Sequence, residues 1–485
     1  MKILVLAAYI VLMLGVGFYS MKKTKTVGDF FLANRSLGPW VSAFAYGTTY
    51  FSAVLFIGYA GRIGWGFGLS SLWIVVGNTL LGSLLSWLIL ARRTRLLTEE
   101  LQAMTMPEFL SARYEAPFLK SLSALIIFIF LVPYSASVYM GLSYLFDVVM
   151  GIPYEWALLL IAALTGIYLV MGGYFAVSIS DLIQGSVMVF GVIFLIFYLL
   201  VQPEVGGFSQ AITRLREVDP GLVKAVGPPG FWPLFGLVVL TSLGPWGLPQ
   251  MIQKFYALKN ERVILTATIV ATLFALICTF GAYFTGSLTH LFFEEPPLVN
   301  GVSDPELLVP NLIVQVMPSA FTLLFLLLIF SASMSTLSSL VLVSSSAIVI
   351  DLLPSRYQKH SLLLMRLFCV VFILCSLVIA FSRSTFIVNL MSISWGATAG
   401  SFLAPYLYGL FWKGANRAGA TVSMLVGLGM SVILSWYYGF NSEVVPLIGS
   451  FSMLVPLLVL PIVSVLQTMA VQKLNVRKQP AALKD

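Results

Sequence analysis

Residues 38–61 read GPWVSAFAYGTTYFSAVLFIGYAG, and residues 241–255 read TSLGPWGLPQMIQKF. Both are apolar enough to lie in a bilayer, and both are interrupted. Gly47, Thr48 and Thr49 sit at the centre of the first, and Gly244, Pro245, Gly247 and Pro249 at the centre of the second. Pro and Gly remove or weaken helical hydrogen bonds, and carbonyls freed inside a membrane must face protein, water or an ion. The two interruptions occupy corresponding positions of two five-helix halves. That pairing points to an inverted-repeat secondary transporter with its binding site at the membrane midplane.

The rest of the chain agrees with a membrane protein. It has 485 residues, 59% hydrophobic and 9% charged, with a mean hydropathy of +0.98. Apolar segments long enough to span are expected near 2–20, 38–60, 68–91, 119–146, 155–172, 180–201, 231–253, 263–291, 311–348, 363–382, 385–411, 418–438 and 444–468, thirteen in all. The fold class is therefore all-α and polytopic. With the N-terminus outside and the C-terminus cytoplasmic, 21 of the 27 Lys and Arg residues fall in cytoplasmic segments, Lys254 counted among them. The net charge of +8 is thus topological and scattered over many loops, which argues against a nucleic-acid partner. The expected location is the cell membrane. No obligate protein partner is evident.

Two polar features stand out inside the apolar segments. The stretch FSASMSTLSS, residues 330–339, carries Ser331, Ser333, Ser335, Thr336, Ser338 and Ser339. Ala332, Ser335 and Thr336 lie at i, i+3, i+4, and so do Ser335, Ser338 and Ser339, so one helix offers two overlapping oxygen clusters. Of nineteen Asp and Glu residues, only Asp181 falls clearly within an apolar segment. A carboxylate there costs at least ~2.5 kcal/mol on insertion scales. No Lys or Arg lies between Lys120 and Arg214, so its partner comes from elsewhere in the fold, a bound cation or a proton. Hydroxyl, carbonyl and carboxylate oxygens suit a hard cation such as sodium. His290 and His360 are far apart in sequence, and the three cysteines fall inside apolar segments, so a soft-metal centre and a membrane-embedded enzyme lack their ligands and catalytic groups.

Several motifs together resemble the sodium:solute symporter family: GDFFLANRSLGPW (28–40), TYFSAVLFIG (49–58), GIPYEWALL (151–159), GGYFAVSISDLIQG (172–185) and SMSTLSSLVLVSSSAIVIDL (333–352). The resemblance implies the leucine-transporter fold, a 5+5 inverted repeat with one extra helix before it and two after it. The corresponding organisation is a single transport domain: a first helix and loop (1–37), the first repeat (38–201), the second (231–411), and two C-terminal helices with a tail (412–485). It further implies a first sodium site at the carbonyls of Thr48, Phe51 and Ala332 with the hydroxyls of Ser335 and Thr336. A second site, as in some members, would use Asp181, Ser335, Ser338 and Ser339. Sodium is the coupling ion, one or two per cycle, and no organic cofactor is expected. Thr49, Tyr50, Ser52, Tyr134, Trp246 and Gln250 are expected in the solute cavity.

The solute is less sharply drawn. Tyr50 stands where sodium/proline symporters carry Asp, and Thr241 and Pro245 stand where they carry an aromatic pair. The helical Arg by which sialic acid symporters hold the substrate carboxylate has no counterpart between Lys120 and Arg214. The segments TTYFSAVLFIGYAG (48–61) and PELLVPNLIVQVMP (305–318) look most like the pantothenate branch. The expected function is sodium-coupled uptake of a carboxylate or amino-acid-type nutrient, pantothenate-like or proline-like. Proton-coupled symport through Asp181 and sodium/sugar symport are the alternatives.

Overall fold

The computed structural model describes residues 2–21, 26–299, 301–354, 360–383 and 386–478. Lys22, Lys23, Lys25, Arg356, Lys359 and Lys484, all assigned to cytoplasmic segments from sequence, lie outside the described residues. Among the described residues the regular structure is helical apart from a minimal antiparallel pairing of Leu298–Val299 with Val302–Ser303 and an isolated parallel bridge between Leu37 and Leu258. Nine helices among the described residues are long and apolar enough to cross a membrane, or ten when the bent pair Phe231–Gly247 and Pro249–Tyr256 counts as one span. Shorter apolar helices cover Leu4–Ser20, Tyr154–Ile167 and Pro305–Val316.

The Ser319–Ser346 helix lies at the centre, packed against Tyr154–Leu200, Pro117–Met150 and Pro39–Tyr50. Its serines are tolerated because it is enclosed: every residue from Leu328 to Ser346 is buried. The outer helices carry the apolar surface, with Phe190, Phe197, Leu265 and Val378 among the large exposed side chains. Such exposure suits hydrocarbon as solvent.

Four details differ from the sequence reading. The break in the second segment falls at Phe51 and Ser52, not at Gly47–Thr49. Gly47 stays helical, and a Cβ there would come within 2.4 Å of Phe274 Cδ1, so it is the packing surface for the neighbouring helix. The expected gap between 172 and 180 contracts to a single break at Gly173 (φ 57°, ψ −156°), where two helices meet at a kink. Lys254, assigned to a cytoplasmic loop, lies within the Pro249–Tyr256 helix with its side chain fully enclosed. Asp181 is not the only buried acid. Glu306 and Asp351 are also buried, near opposite ends of the bundle, Glu306 beside the N-terminus of Ile387–Phe411 and Asp351 at the end of the serine-bearing helix.

Candidate functional site

The first broken helix ends at Phe51, whose extended backbone (φ −113°, ψ 112°) closes Pro39–Tyr50. Wide π-helical winding then resumes over Val54–Tyr59, and the Val54 amide donates to Ser52 Oγ at 3.2 Å. A continuous helix would direct the carbonyls of Thr48 and Thr49 to amides four residues on. Here both face the central helix: Thr336 Oγ1 donates to Thr48 O at 3.0 Å and to Thr49 O at 3.3 Å. Ser335 Oγ lies 2.7 Å from Thr48 Oγ1 and 2.6 Å from Asp181 Oδ1. Thr48, Ser335, Thr336 and Asp181, drawn from three helices, therefore meet within hydrogen-bond distance of one another. Phe51 supplies the turn that closes the broken helix, and Ala332 precedes Ser335 and Thr336 by one helical turn. These donors are hard, uncharged or singly anionic oxygens, a set that fits a monovalent hard cation.

Not all of the hydroxyl stripe points there. Ser331 pairs with Tyr9 OH at 2.5 Å, and Ser333 and Ser338 donate back to the carbonyls of Ile329 and Met334 at 2.7 Å. Ser339 belongs to the cluster, 3.0 Å from Thr49 Oγ1. Its other neighbour is Lys254, whose Nζ lies 3.0 Å from Ser339 Oγ and 3.8 Å from Asp181 Oδ2. The same ammonium stands 5.0 Å from the centre of the Tyr174 ring. Sequence reasoning missed Lys254 because a lysine just beyond the apolar segment 231–253 reads as a helix-end cation. The helical alignment of Gln250 with Lys254 in PQMIQKFY was the only available hint.

The second broken helix bends by 44° at Leu248. Gly244 and Gly247 let the Ile387–Phe411 helix close on it: added Cβ atoms would lie 2.4 Å from Trp395 Cε3 and 2.9 Å from Ala399 O. Between the two breaks lies a cavity of about 20 Å³ lined by Tyr50, Ser52, Asn78, Tyr134, Tyr283 and Trp395, together with Phe51, Val54, Leu55, Tyr59, Thr241 and Met391. No charged side chain lines it. Tyr50 OH donates to Thr241 O at 2.6 Å, so each broken segment is tied to the other across this cavity. The Tyr283 hydroxyl, on the wall, has no hydrogen-bond partner among the described residues.

Of the residues expected to line the cavity, Tyr50, Ser52 and Tyr134 do so, while Thr49, Trp246 and Gln250 stand off it. Thr49 turns toward Ser339, and Trp246 Nε1 donates to Leu81 O at 2.9 Å. Gln250 is enclosed in the second half of the bent helix. A wider hollow of about 470 Å³, bounded by Arg62, Trp65, Pro229, Phe386 and Glu443, opens one helical turn from the cavity, at Leu237 relative to Thr241 and Val388 relative to Met391. At the opposite end, the space between Phe31, Met106, Tyr256 and Asp351 shrinks to about 10 Å³. The cavity thus lies between a wide hollow on one side and a narrow space on the other.

The model of the "Sodium:solute symporter family" matches residues 30–427. The sodium/proline symporter of Salmonella typhimurium is 31% identical over 455 residues, covering 90% of this chain and 88% of its own. The osmoregulated proline transporter of Bacillus subtilis is 29% identical over 442 residues, covering 90% and 88%. Among solved structures, a substrate-bound, outward-open Na+-coupled sialic acid symporter superposes with a TM-score of 0.77 at 20% identity, covering 96% of this chain and 97% of that one. The nucleobase-cation-symport transporter Mhp1 gives a TM-score of 0.52 at 14% identity, covering 90% and 94%. These last two share the fold. The family match spans most of the chain, and its helical breaks, oxygen cluster and enclosed cavity are those of a membrane transporter: the protein belongs to the sodium:solute symporter family.

Proposed function

We propose that the protein takes up a small amino acid or carboxylate, proline-like in size, by sodium-coupled symport. The carrying observation is the junction at Phe51. On one side of it Thr48 meets Thr336 through its carbonyl and Ser335 through its hydroxyl, and on the other Phe51 and Ser52 line the solute cavity. Sodium held by the carbonyls of Thr48, Phe51 and Ala332 and the hydroxyls of Ser335 and Thr336 would therefore set the conformation of the segment that shapes the cavity. Coupling of this kind is a difference in affinity and is reciprocal: sodium favours solute as much as solute favours sodium.

The cavity supports a compact solute with an apolar body, because its walls are aromatic and hold no countercharge for a second ionic group. A carboxylate is served instead by backbone amides at the start of the helical run after Ser52, the positive end of its dipole. The proline transporters among its relatives favour the same size class. At about 20 Å³ the cavity holds little more than a water molecule, so a proline-sized solute needs it to widen on binding and a pantothenate-sized one needs it to widen further. In this reading the chain has thirteen spans in a 5+5 inverted repeat framed by one leading and two trailing helices. The N-terminus is outside, and the hollow beside Arg62 is the extracellular entrance.

Uptake of radiolabelled proline into proteoliposomes tests this, with an inward sodium gradient compared against choline at fixed pH. Sodium-dependent, saturable accumulation is expected. Equal uptake in choline would instead favour proton coupling through Asp181. Competition by unlabelled pantothenate and by sugars then separates the solute classes.

A further inference from the structure

The family resemblance implies a second sodium site, found in some members, at Asp181, Ser335, Ser338 and Ser339. We propose that Lys254 is the resident cation of that cluster, so that the protein couples a single sodium ion to each solute. This rests on the symport reading above.

The cluster is already furnished as a cation site, and its cation is covalently attached. The ammonium has three donors. One reaches Ser339 Oγ at 3.0 Å, Asp181 Oδ2 stands at 3.8 Å, and the Tyr174 ring faces it at 5.0 Å. Each flank of the ammonium is thus met by an oxygen or a π face. Of the cluster's other oxygens, Ser338 Oγ is turned back to Met334 O at 2.7 Å and Ser335 Oγ is held 2.6 Å from Asp181 Oδ1. Asp181 Oδ2 has no hydrogen-bond donor of its own, and Lys254 is its only ion-pair partner among the described residues. With both side chains fully enclosed, the pair is formally neutral. A sodium ion added there would meet a like charge. At about 4 Å and an effective dielectric of about 20, that repulsion weakens binding roughly a thousandfold.

The arrangement also joins the two broken helices. Lys254 lies in the half-helix after the second break, Asp181 in the helix that follows the Gly173 kink, and Ser335 bonds Thr48 in the last turn before the first break. Lys254, Asp181, Ser335 and Thr48 form one continuous polar chain, so a displacement of the Pro249–Tyr256 half-helix is felt at the first sodium site. Lys254 is in this sense a positioning residue as well as a fixed charge.

The test is a count of bound ions on purified full-length protein by equilibrium dialysis with radioactive sodium, which does not depend on transport or on the solute. The wild type is expected to bind one sodium per chain. Lys254→Met, which removes the charge and keeps the bulk, is expected to bind two, with the second abolished by adding Ser339→Ala; Lys254→Arg should stay at one. Two ions on the wild type, or one on a folded Lys254→Met variant, overturns the proposal. If Lys254→Met does not fold, the wild-type count and the charge-to-solute ratio of uptake decide. A protein that binds no sodium defeats the symport reading itself.

Discussion

Lys254 Nζ stands 3.8 Å from Asp181 Oδ2 with both side chains at zero exposure, the only fully enclosed ion pair among the described residues. The other ion pairs, such as Arg92 with Glu261 and Arg383 with Glu155, lie at exposed positions or, like Lys120 with Asp351, keep one partner partly open. An enclosed pair is weak evidence of stability in itself, but removing one partner leaves an uncompensated charge.

Asp181→Asn should therefore destabilise the folded protein by ~3–5 kcal/mol. Adding Lys254→Met should recover much of that loss, because the orphaned charge is gone. Thermal unfolding of the two single variants and the double variant in detergent, read as a mutant cycle, gives the coupling. Additive losses would show that the two groups do not interact.

Ser335→Ala with Thr336→Ala removes two hydroxyls from the proposed sodium site. The sodium concentration for half-maximal uptake should rise ~10- to 100-fold, from hydrogen-bonding strengths to charged groups of ~1.5–3 kcal/mol. Solute affinity at saturating sodium should change far less. An unaltered sodium dependence would place the ion elsewhere.

Gly286 and Gly64 let two helices touch backbone to backbone. A Cβ on Gly286 would lie 1.8 Å from Ala60 O, and one on Gly64 would lie 2.3 Å from Gly286 C. Because the Ala60–Phe67 helix continues the first broken segment, Gly286→Ala should displace the cavity wall and lower stability by ~1–3 kcal/mol. Maximal uptake should fall with it. The melting temperature and uptake rate of this variant, compared with Gly66→Ala in open space, provide the check.

Glu306 lies in the short stretch before the Leu308–Val316 helix and accepts from the Ile387 amide at 2.8 Å. Burial, and then the neighbouring Asp304, push its carboxyl from an ordinary 4.5 up to about 8, against the pull of Arg62. A folded-state value raised in this way contributes stability below the unfolded value, and that contribution is lost as pH rises through about 8. Melting temperature should fall across this window, and Glu306→Gln should flatten the dependence. A wild-type profile identical to that of the variant would remove Glu306 from the account.

Sodium itself should stabilise the protein, since it binds the folded state. At a hundred times its dissociation constant the gain is ~2.7 kcal/mol, visible as a melting shift absent with choline and reduced in the Ser335→Ala, Thr336→Ala variant.

The membrane class, the two interrupted helices and the oxygen-bearing helix were all legible in the sequence, because hydropathy, Gly and Pro interruptions and helical spacing are local properties. So were Thr48, Ser335, Thr336 and Asp181 as members of one polar centre, through the family motifs they occupy. Tertiary structure decided which oxygens meet, which serines merely bond back to their own helix, and that Asn78, Tyr283 and Trp395 close the cavity. It also decided the fate of the lone acid. A lysine near a predicted loop belongs at the membrane surface by local rules, and only the 44° bend at Leu248 carries Lys254 inward to Asp181. Local pattern determines what each helix is made of; the partner of a buried charge depends on how distant helices pack.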